Sequence, residues 1–309
     1  MSYAIVRAGE QLFRPVTELA GMSGVRVASL IDTGQGSVHL EIALVELAPG
    51  GVIPGHIHPF EESFFILSGR ALFALGETSY TLSQHDFGVA PIAAPHAWHN
   101  PFDEPVRWYQ IRGPQPRPGS LMPASYAVQS VAIPTGGREV NEFDPTCRFV
   151  GRFADADMSP PGPLSMPGYH GHNIQDISIR MMVDEILGAQ HHTLFVVEFA
   201  AHSGTPGSAA RTHYHPFEEA YYFLSGKAIA FLDGDQHEIA AGDIVWCSTN
   251  GTHGYINQGD VPVRFIECQA PRPPASNAFF FPDDWYALSN GILKMDAKGD
   301  TRFTAKDNY

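Results

Sequence analysis

Apolar positions recur at every second residue in short runs along this chain, and glycine- and proline-rich turns separate the runs. Val25–Asp32 alternates apolar and polar side chains, Gly34 and Gly36 mark a turn, and His39–Leu47 alternates again. A period of two is the pattern of a half-buried strand. Pro49-Gly50-Gly51 reads as a break in it. Ser63–Leu67 is aromatic and β-branched and stops at Ser68-Gly69. Ala71–Leu75 and Ser79–Leu82 form a hairpin pattern around Gly76-Glu77, Asp86–Pro91 is a short strand, and Val106–Arg112 closes the unit. No helix of ten residues or more is predicted here. Many short strands with frequent turns predict an all-β sandwich or small barrel.

The same order then returns. Ile177–Asp184, His192–Phe199, Ile229–Leu232 with His237–Ile239 across Asp233-Gly234, Asp243–Cys247 and Val263–Gln269 repeat the first series. The phrase His56-Ile57-His58-Pro59-Phe60-Glu61-Glu62 recurs as His213-Tyr214-His215-Pro216-Phe217-Glu218-Glu219, 157 residues on, and Asp86, His96, Asn100 and Pro105 recur at the same interval. This is an internal duplication. It predicts an N-terminal barrel at 1–112, a Pro/Gly-rich linker at 113–172 that packs in part along the barrels, a C-terminal barrel at 173–270 and an extension at 271–309. The loop before the second histidine pair is five residues longer than the first. The extension opens on Phe279-Phe280-Phe281, which predicts packing on a barrel or a partner subunit.

Composition narrows the class. The chain has 309 residues, 44% of them hydrophobic, enough for two packed cores. A net charge of −14 disfavours nucleic acid and anionic membranes as partners. The 3 cysteines, Cys147, Cys247 and Cys268, are far apart and have no CxxC pattern. That argues against a disulfide framework and for a reducing cytoplasm. The N-terminus shows no apolar signal region, and no apolar run is long enough to span a bilayer.

The 15 histidines change the picture most. Side chains at i and i+2 of a strand share a face, so His56 and His58 point to one side, as do His213 and His215. Glu62 and Glu219 follow four residues after the second histidine, and His96 and His253 come from later strands. Three imidazoles and a carboxylate suit a divalent first-row ion such as Fe, Mn, Ni, Co, Cu or Zn, with up to two ions per chain. A six-coordinate ion keeps two positions for substrate, water or dioxygen. Glu62 and Glu219 double as candidate general bases. Arg211, two residues before His213, is a candidate anion-holding catalytic residue, and Pro54 stands at the matching place in the first copy. The remaining histidines lack the repeated spacing; His99, beside His96, is the one further candidate.

HxHxxxE followed by six residues and glycine, then PxxxxHxxxN, resembles the two motifs of the cupin superfamily. The first copy reads His56, His58, Glu62 and Gly69, then Pro91, His96 and Asn100; the second reads His213, His215, Glu219 and Gly226, then His253 and Asn257. Ser248 stands where the proline is usual, and Ala93 where a glycine is often found, which touches turns and not ligands. The resemblance implies a bicupin with two antiparallel jelly-roll β-barrels, few helices and a metal inside each. It further implies a metal-dependent oxidoreductase. The leading expectation is a dioxygenase that takes dioxygen and a small chelating substrate, flavonol-like, enol or diketone. A flat substrate is favoured by aromatic residues near the motifs, such as Phe64, Trp98, Trp108, Tyr221 and Trp246, although alternate members of these runs also suit barrel core. Alternatives are an oxalate-decarboxylase-like lyase, a hydrolase or isomerase on a small carboxylate or polar metabolite, and a non-catalytic binding protein. A homo-oligomer is compatible with all of them.

Overall fold

The structure, a computed structural model, describes all residues except 117–123, 142–148, 167–168, 171–172, 202–208, 277, 282–292, 296–300 and 304–309. Cys147, Trp285, Tyr286 and most of the longer loop before His213 therefore lie outside the described residues. The regular structure of the described residues is nearly all strand, and their only helical turns are the short 3-10 segments Ala8–Glu10 and Asp155–Asp157. None forms a helix long and apolar enough to cross a membrane.

The chain divides into two compact units. One comprises residues 9–157 and 181–194, the other residues 1–8, 158–180 and 195–309. In the unit of the first repeat, the strands order as Thr78–Leu82, Ala71–Leu75, His96–His99, Glu41–Ile57, Val106–Gly113, Glu61–Ser68 and Asp86–Ala90. All of these neighbours are antiparallel. This is a jelly roll in which the long strand Glu41–Ile57 serves both halves. The expected break at Pro49-Gly50-Gly51 is a bend within that strand. Gly50 takes a φ of +72°, its N–H donates to Asn100 O at 2.7 Å, and Asn100 N–H donates to Gly51 O at 3.0 Å. Pairing on both sides of the bend keeps the strand continuous: Glu41–Leu47 pairs with Val106–Arg112, and Val52–His56 with His96–His99.

The unit of the second repeat has a six-stranded sheet, ordered Tyr3–Val6, Ile244–Cys247, Glu218–Ser225, Val263–Ala270, Thr193–Phe199 and Ile177–Val183. A five-stranded sheet runs Ile174–Gln175, Ala209–His213, His253–Ile256, Lys227–Leu232 and Asp235–Ala240. In both units a strand from outside the repeat seals an edge. Val150–Arg152 pairs with Asp86–Gly88, and Tyr3–Val6 with Ile244–Cys247. An arginine fastens each: Arg152 Nε donates to Asp86 Oδ1 at 2.7 Å, and Arg7 NH1 to Asp243 Oδ2 at 2.8 Å.

The repeated polar landmarks outside the histidine clusters are structural. Asn100 Nδ2 donates to the carbonyls of Leu47 and Glu104 at 2.9 and 2.8 Å, and Asn257 Nδ2 to those of Ala200 and Val261 at 2.8 and 2.9 Å. Gly69 and Gly226 share a φ of +77°, and a Cβ there would meet Pro105 O at 2.4 Å or Pro262 O at 2.5 Å. Phe64, Trp98 and Trp108 are core, with the two indoles stacked at 4.6 Å between centroids. Truncating such buried rings costs about 3–5 kcal/mol. Cys247 and Cys268 are buried free thiols.

Candidate metal centre

Strand pairing assembles the first cluster. His56 sits opposite His96 in register, His58 follows two residues on, and Glu62 enters from Glu61–Ser68. The ring centroids of His56 and His96 lie 4.1 Å apart, those of His56 and His58 4.7 Å, and those of His58 and His96 4.8 Å. All four residues are buried. The second cluster repeats the plan: donor atoms of His213, His215, Glu219 and His253 lie within 4.8 Å of one another. Glu219 Oε2 is 2.9 Å from His215 Nε2 and 3.0 Å from His253 Nε2. Phe60 and Phe217 stack on His58 and His215 at 4.6 and 3.8 Å, a role for the phenylalanine of the repeated phrase that sequence reasoning missed.

The imidazoles are oriented for ligation. His56 Nδ1 donates to Pro54 O at 2.7 Å and His96 Nδ1 to Ala94 O at 2.9 Å. His213, His215 and His253 Nδ1 donate to the carbonyls of Arg211, Phe217 and Gly251 at 2.6, 2.9 and 2.9 Å. A carbonyl only accepts, so each of these Nδ1 atoms holds a proton, which leaves Nε2 of His56, His96, His213 and His215 as the lone pair for a metal. His253 Nε2 instead lies 3.0 Å from Glu219 Oε2; burial alone would lower this ring, but Cys247 and that carboxylate hold it well above the usual histidine range. His58 differs: its Nδ1 shares a 3.3 Å hydrogen bond with Ser125 Oγ, from the segment between the repeats. That segment's Tyr126–Ala127 pairs with Ile57–His56.

Buried Nε2 atoms of His58, His96 and His215 have no hydrogen-bond partner. Yet His58 Nε2 lies 3.3 Å and His96 Nε2 3.8 Å from Glu62 oxygens. Close approach without hydrogen-bond geometry is what donors to a shared cation show, and a buried orphan nitrogen needs such a partner. Burial, reinforced by neighbouring imidazoles, lowers His56 to about 4 and His96 to about 3. Burial also holds His213 well below the usual histidine range. Neutral imidazoles are the form that binds metal. Burial alone would raise the Glu62 carboxyl, but His58, Arg112 and His96 together hold it well below the usual carboxylate range. The donor set fits a divalent ion in both units.

The clusters differ around the carboxylate. Arg112 lies opposite Glu62 in register, and Gln269 opposite Glu219. Arg112 Nε donates to Glu62 Oε2 at 2.9 Å, and Gln269 Nε2 to Glu219 Oε1 at 2.7 Å. Tyr221 O–H also donates to Glu219 Oε2. Glu267, two residues from Gln269, is pushed well above the carboxylate range by burial and by Glu219; the first copy has Gln110 there. Next to the first cluster is a cavity of about 240 Å³ lined by His56, Glu62, Gln110 and Arg112. The cavity at the second cluster is about 30 Å³ and mostly apolar. Phe279 covers that cluster, its ring 5.1 Å from both His213 and His215. The neighbouring Phe280 exchanges two 2.9 Å backbone hydrogen bonds with Tyr214.

The other candidates fall elsewhere. Arg211 is buried, donates to Asn173 Oδ1 at 2.7 Å and lies 5.5 Å over the Phe281 ring, so the cation beside a cluster carboxylate is Arg112. Sequence reasoning missed Arg112. Extending the 157-residue alignment to the last strand, where arginine faces glutamine, was the signal. His99 Nδ1 donates to Pro134 O at 2.8 Å, outside the cluster. Glu61 and Glu218 are both buried. Glu61 accepts from the N–H groups of Gln190 and His191 at 2.6 and 3.1 Å, and Trp246 Nε1 donates to Glu218 at 3.4 Å. Nearby, Ser63 Oγ lies 2.7 Å from His192 Nε2.

Comparison with known proteins agrees with this geometry. Residues 43–112 and 203–268 match the cupin domain family. Both repeats thus match a cupin domain, and the chain is bicupin-like. The tetracenomycin polyketide synthase protein TcmJ of Streptomyces glaucescens is 31% identical over 72 residues, which are 22% of this chain and 48% of that protein. The chain spans about half the length of the curated relatives it matches. A solved Pseudomonas aeruginosa protein described as glyoxylate-induced aligns over 88% of this chain and 90% of that one, with a TM-score of 0.61 and 19% identity. Lactobacillus farciminis oxalate decarboxylase, solved with formate, aligns over 92% and 90%, with a TM-score of 0.59 and 15% identity. At these identities the likeness establishes the fold.

Proposed function

We propose that the protein is a metal-dependent bicupin enzyme that binds one divalent first-row ion through His56, His58, Glu62 and His96 and a second through His213, His215, Glu219 and His253. Turnover belongs to the first unit. The observation that carries this is the asymmetry of space: about 240 Å³ beside the first cluster against about 30 Å³ beside the second. The ion supplies Lewis-acid and redox chemistry when bound. The chain supplies the rest. Glu62 accepts a proton from a substrate hydroxyl or acidic C–H, Gln110 and Arg112 orient its oxygens, and aliphatic side chains exclude water.

The reaction proposed is dioxygenation of a small organic anion that chelates through two oxygens. Arg112 also favours a second reading, decarboxylation of a small carboxylate, as oxalate decarboxylase performs on the same fold. Oxygen-electrode traces with catechols, flavonols and β-diketones, run beside CO₂ release from oxalate, test the two. Substrate-dependent oxygen uptake supports dioxygenation. CO₂ release without net oxygen uptake replaces it with the second reading. Neither activity in protein loaded with two ions rejects both.

A further inference from the structure

We propose that Arg112 selects the ligand of the first cavity, that this ligand is a monocarboxylate with an apolar body, and that it binds only after the metal. The proposal rests on the metal reading above and goes on to the substrate. Arg112 pairs in register with Glu62 on one side and Glu41 on the other. Its Nε donates to Glu62 Oε2 at 2.9 Å and its NH1 to Glu41 Oε1 at 3.1 Å, and the guanidinium lies 5.4 Å over the Phe60 ring. Stacked and gripped on both sides, the fork is fixed in place. Its side chain keeps 19% exposure, and it lines the cavity. A planar guanidinium with further N–H groups is suited to a carboxylate.

The walls define the rest of the ligand. Away from Gln110 and Arg112 one wall of the cavity is aliphatic, formed by Leu19, Met22, Val25, Val27 and Val45, while Glu18, Ser29, Glu41 and Ser125 also line the space. A two-carbon dicarboxylate would leave this aliphatic surface uncovered, whereas an apolar body buries against it. At roughly 30 Å³ per water, the space equals about eight waters, enough for an aromatic or branched acid.

Charge sets the order. Glu18, Glu41 and Glu62 all line the cavity with Arg112 as the one cation among its described lining residues, so without metal a further anion is repelled. A divalent ion reverses that balance. In the second unit Gln269 replaces the arginine and Phe279 covers the cluster, so no anion is admitted there.

Calorimetric titration of benzoate and oxalate tests this on the full chain, EDTA-treated and loaded with Mn²⁺, for wild type, Arg112→Lys, Arg112→Gln and Arg112→Gln/Glu41→Gln. The glutamine variant copies the residue of the second repeat, and the double variant removes the carboxylate left unpaired if the single one misfolds. Metal content is measured on every sample. The expected result is benzoate binding by loaded wild type and none by EDTA-treated protein. Both glutamine variants should weaken it roughly 30-fold or more at unchanged metal content, the loss typical of removing one partner of a buried charge pair, with lysine intermediate. No benzoate binding by loaded wild type, undiminished binding by both glutamine variants, binding without metal, or oxalate preferred over benzoate would each overturn the proposal and leave the metal reading standing. A chain that takes up no ion at the first cluster overturns both.

Discussion

Arg112 and Glu62 face each other across paired strands, 2.9 Å apart from Nε to Oε2, while the same register position opposite Glu219 holds Gln269. One duplicated framework thus presents a charged carboxylate partner in one unit and a neutral one in the other. With the difference in cavity size, this separates ion binding from turnover. Alanine at His56 or at His213 should each reduce the ion content from two to one per chain by elemental analysis. Only His56→Ala should abolish turnover; equal loss from both would contradict the assignment of chemistry to the first unit.

Ser125 orients His58 from outside the repeat. Removing a hydrogen-bond partner behind a metal ligand weakens ion binding by roughly 10–100-fold. Ser125→Ala should do so at the first cluster alone and change the visible spectrum of Co²⁺ bound there. Ser125→Thr, which restores the hydroxyl, should return both to wild-type values.

Ala93 holds a φ of +59° and its N–H donates to His58 O at 2.9 Å; Asn250, its counterpart, has a φ of +63° and donates to His215 O at 2.9 Å. A left-handed alanine costs about 1–2 kcal/mol, of which the greater freedom of unfolded glycine returns roughly half. Ala93→Gly should therefore stabilise the first unit by about 0.5–1 kcal/mol in urea titration. Asn250→Gly should gain less, because asparagine tolerates this region better.

Acid should destabilise the metal-free protein through its neutral imidazoles. The folded values of His56, about 4, and His96, about 3, lie below that of free histidine, so the unfolded chain binds more protons as pH falls from about 6.5. The contribution of these two imidazoles is complete above that pH and is lost toward pH 3–4, on the order of 3 kcal/mol for His56 alone. Depression of Glu62 acts in the same direction, with loss at lower pH still. Urea midpoints of EDTA-treated protein across this range should fall steadily, and His56→Gln should flatten the upper part of the curve.

Phe279 is buried against both imidazoles of the second pair. Phe279→Ala should cost about 3–5 kcal/mol and speed release of the second ion to a chelator, while the first ion's release rate stays unchanged.

Much of this was legible in the sequence because strands and ligands both follow period two: the residues that alternate inward in His56-Ile57-His58 are those that ligate. The duplication doubled the signal. Three features escaped for physical reasons. Pro49-Gly50-Gly51 looks like a terminator, but partners on either side of the bend, such as Asn100 at 2.7 Å, turn it into a hinge in one strand. Arg112 lies far from the motif, and only cross-strand register brings it to Glu62. Ser125 reaches the first cluster from a segment without periodicity, where local pattern carries no tertiary information; the packing of Phe279 on a barrel was legible, and only its seat against His213 and His215 was not.

The strand Tyr3–Val6 seals the sheet edge at Ile244–Cys247, and Arg7 fastens it to Asp243. Its partner strand is made only after more than two hundred further residues. Until then the N-terminal strand has no ladder to join, and that barrel has an open edge. Closing that edge thus needs the return of a much earlier segment, a contact of high sequence separation that should slow folding of the second barrel. A fragment starting at the second repeat would keep every proposed ligand of its ion and still lack its edge strand.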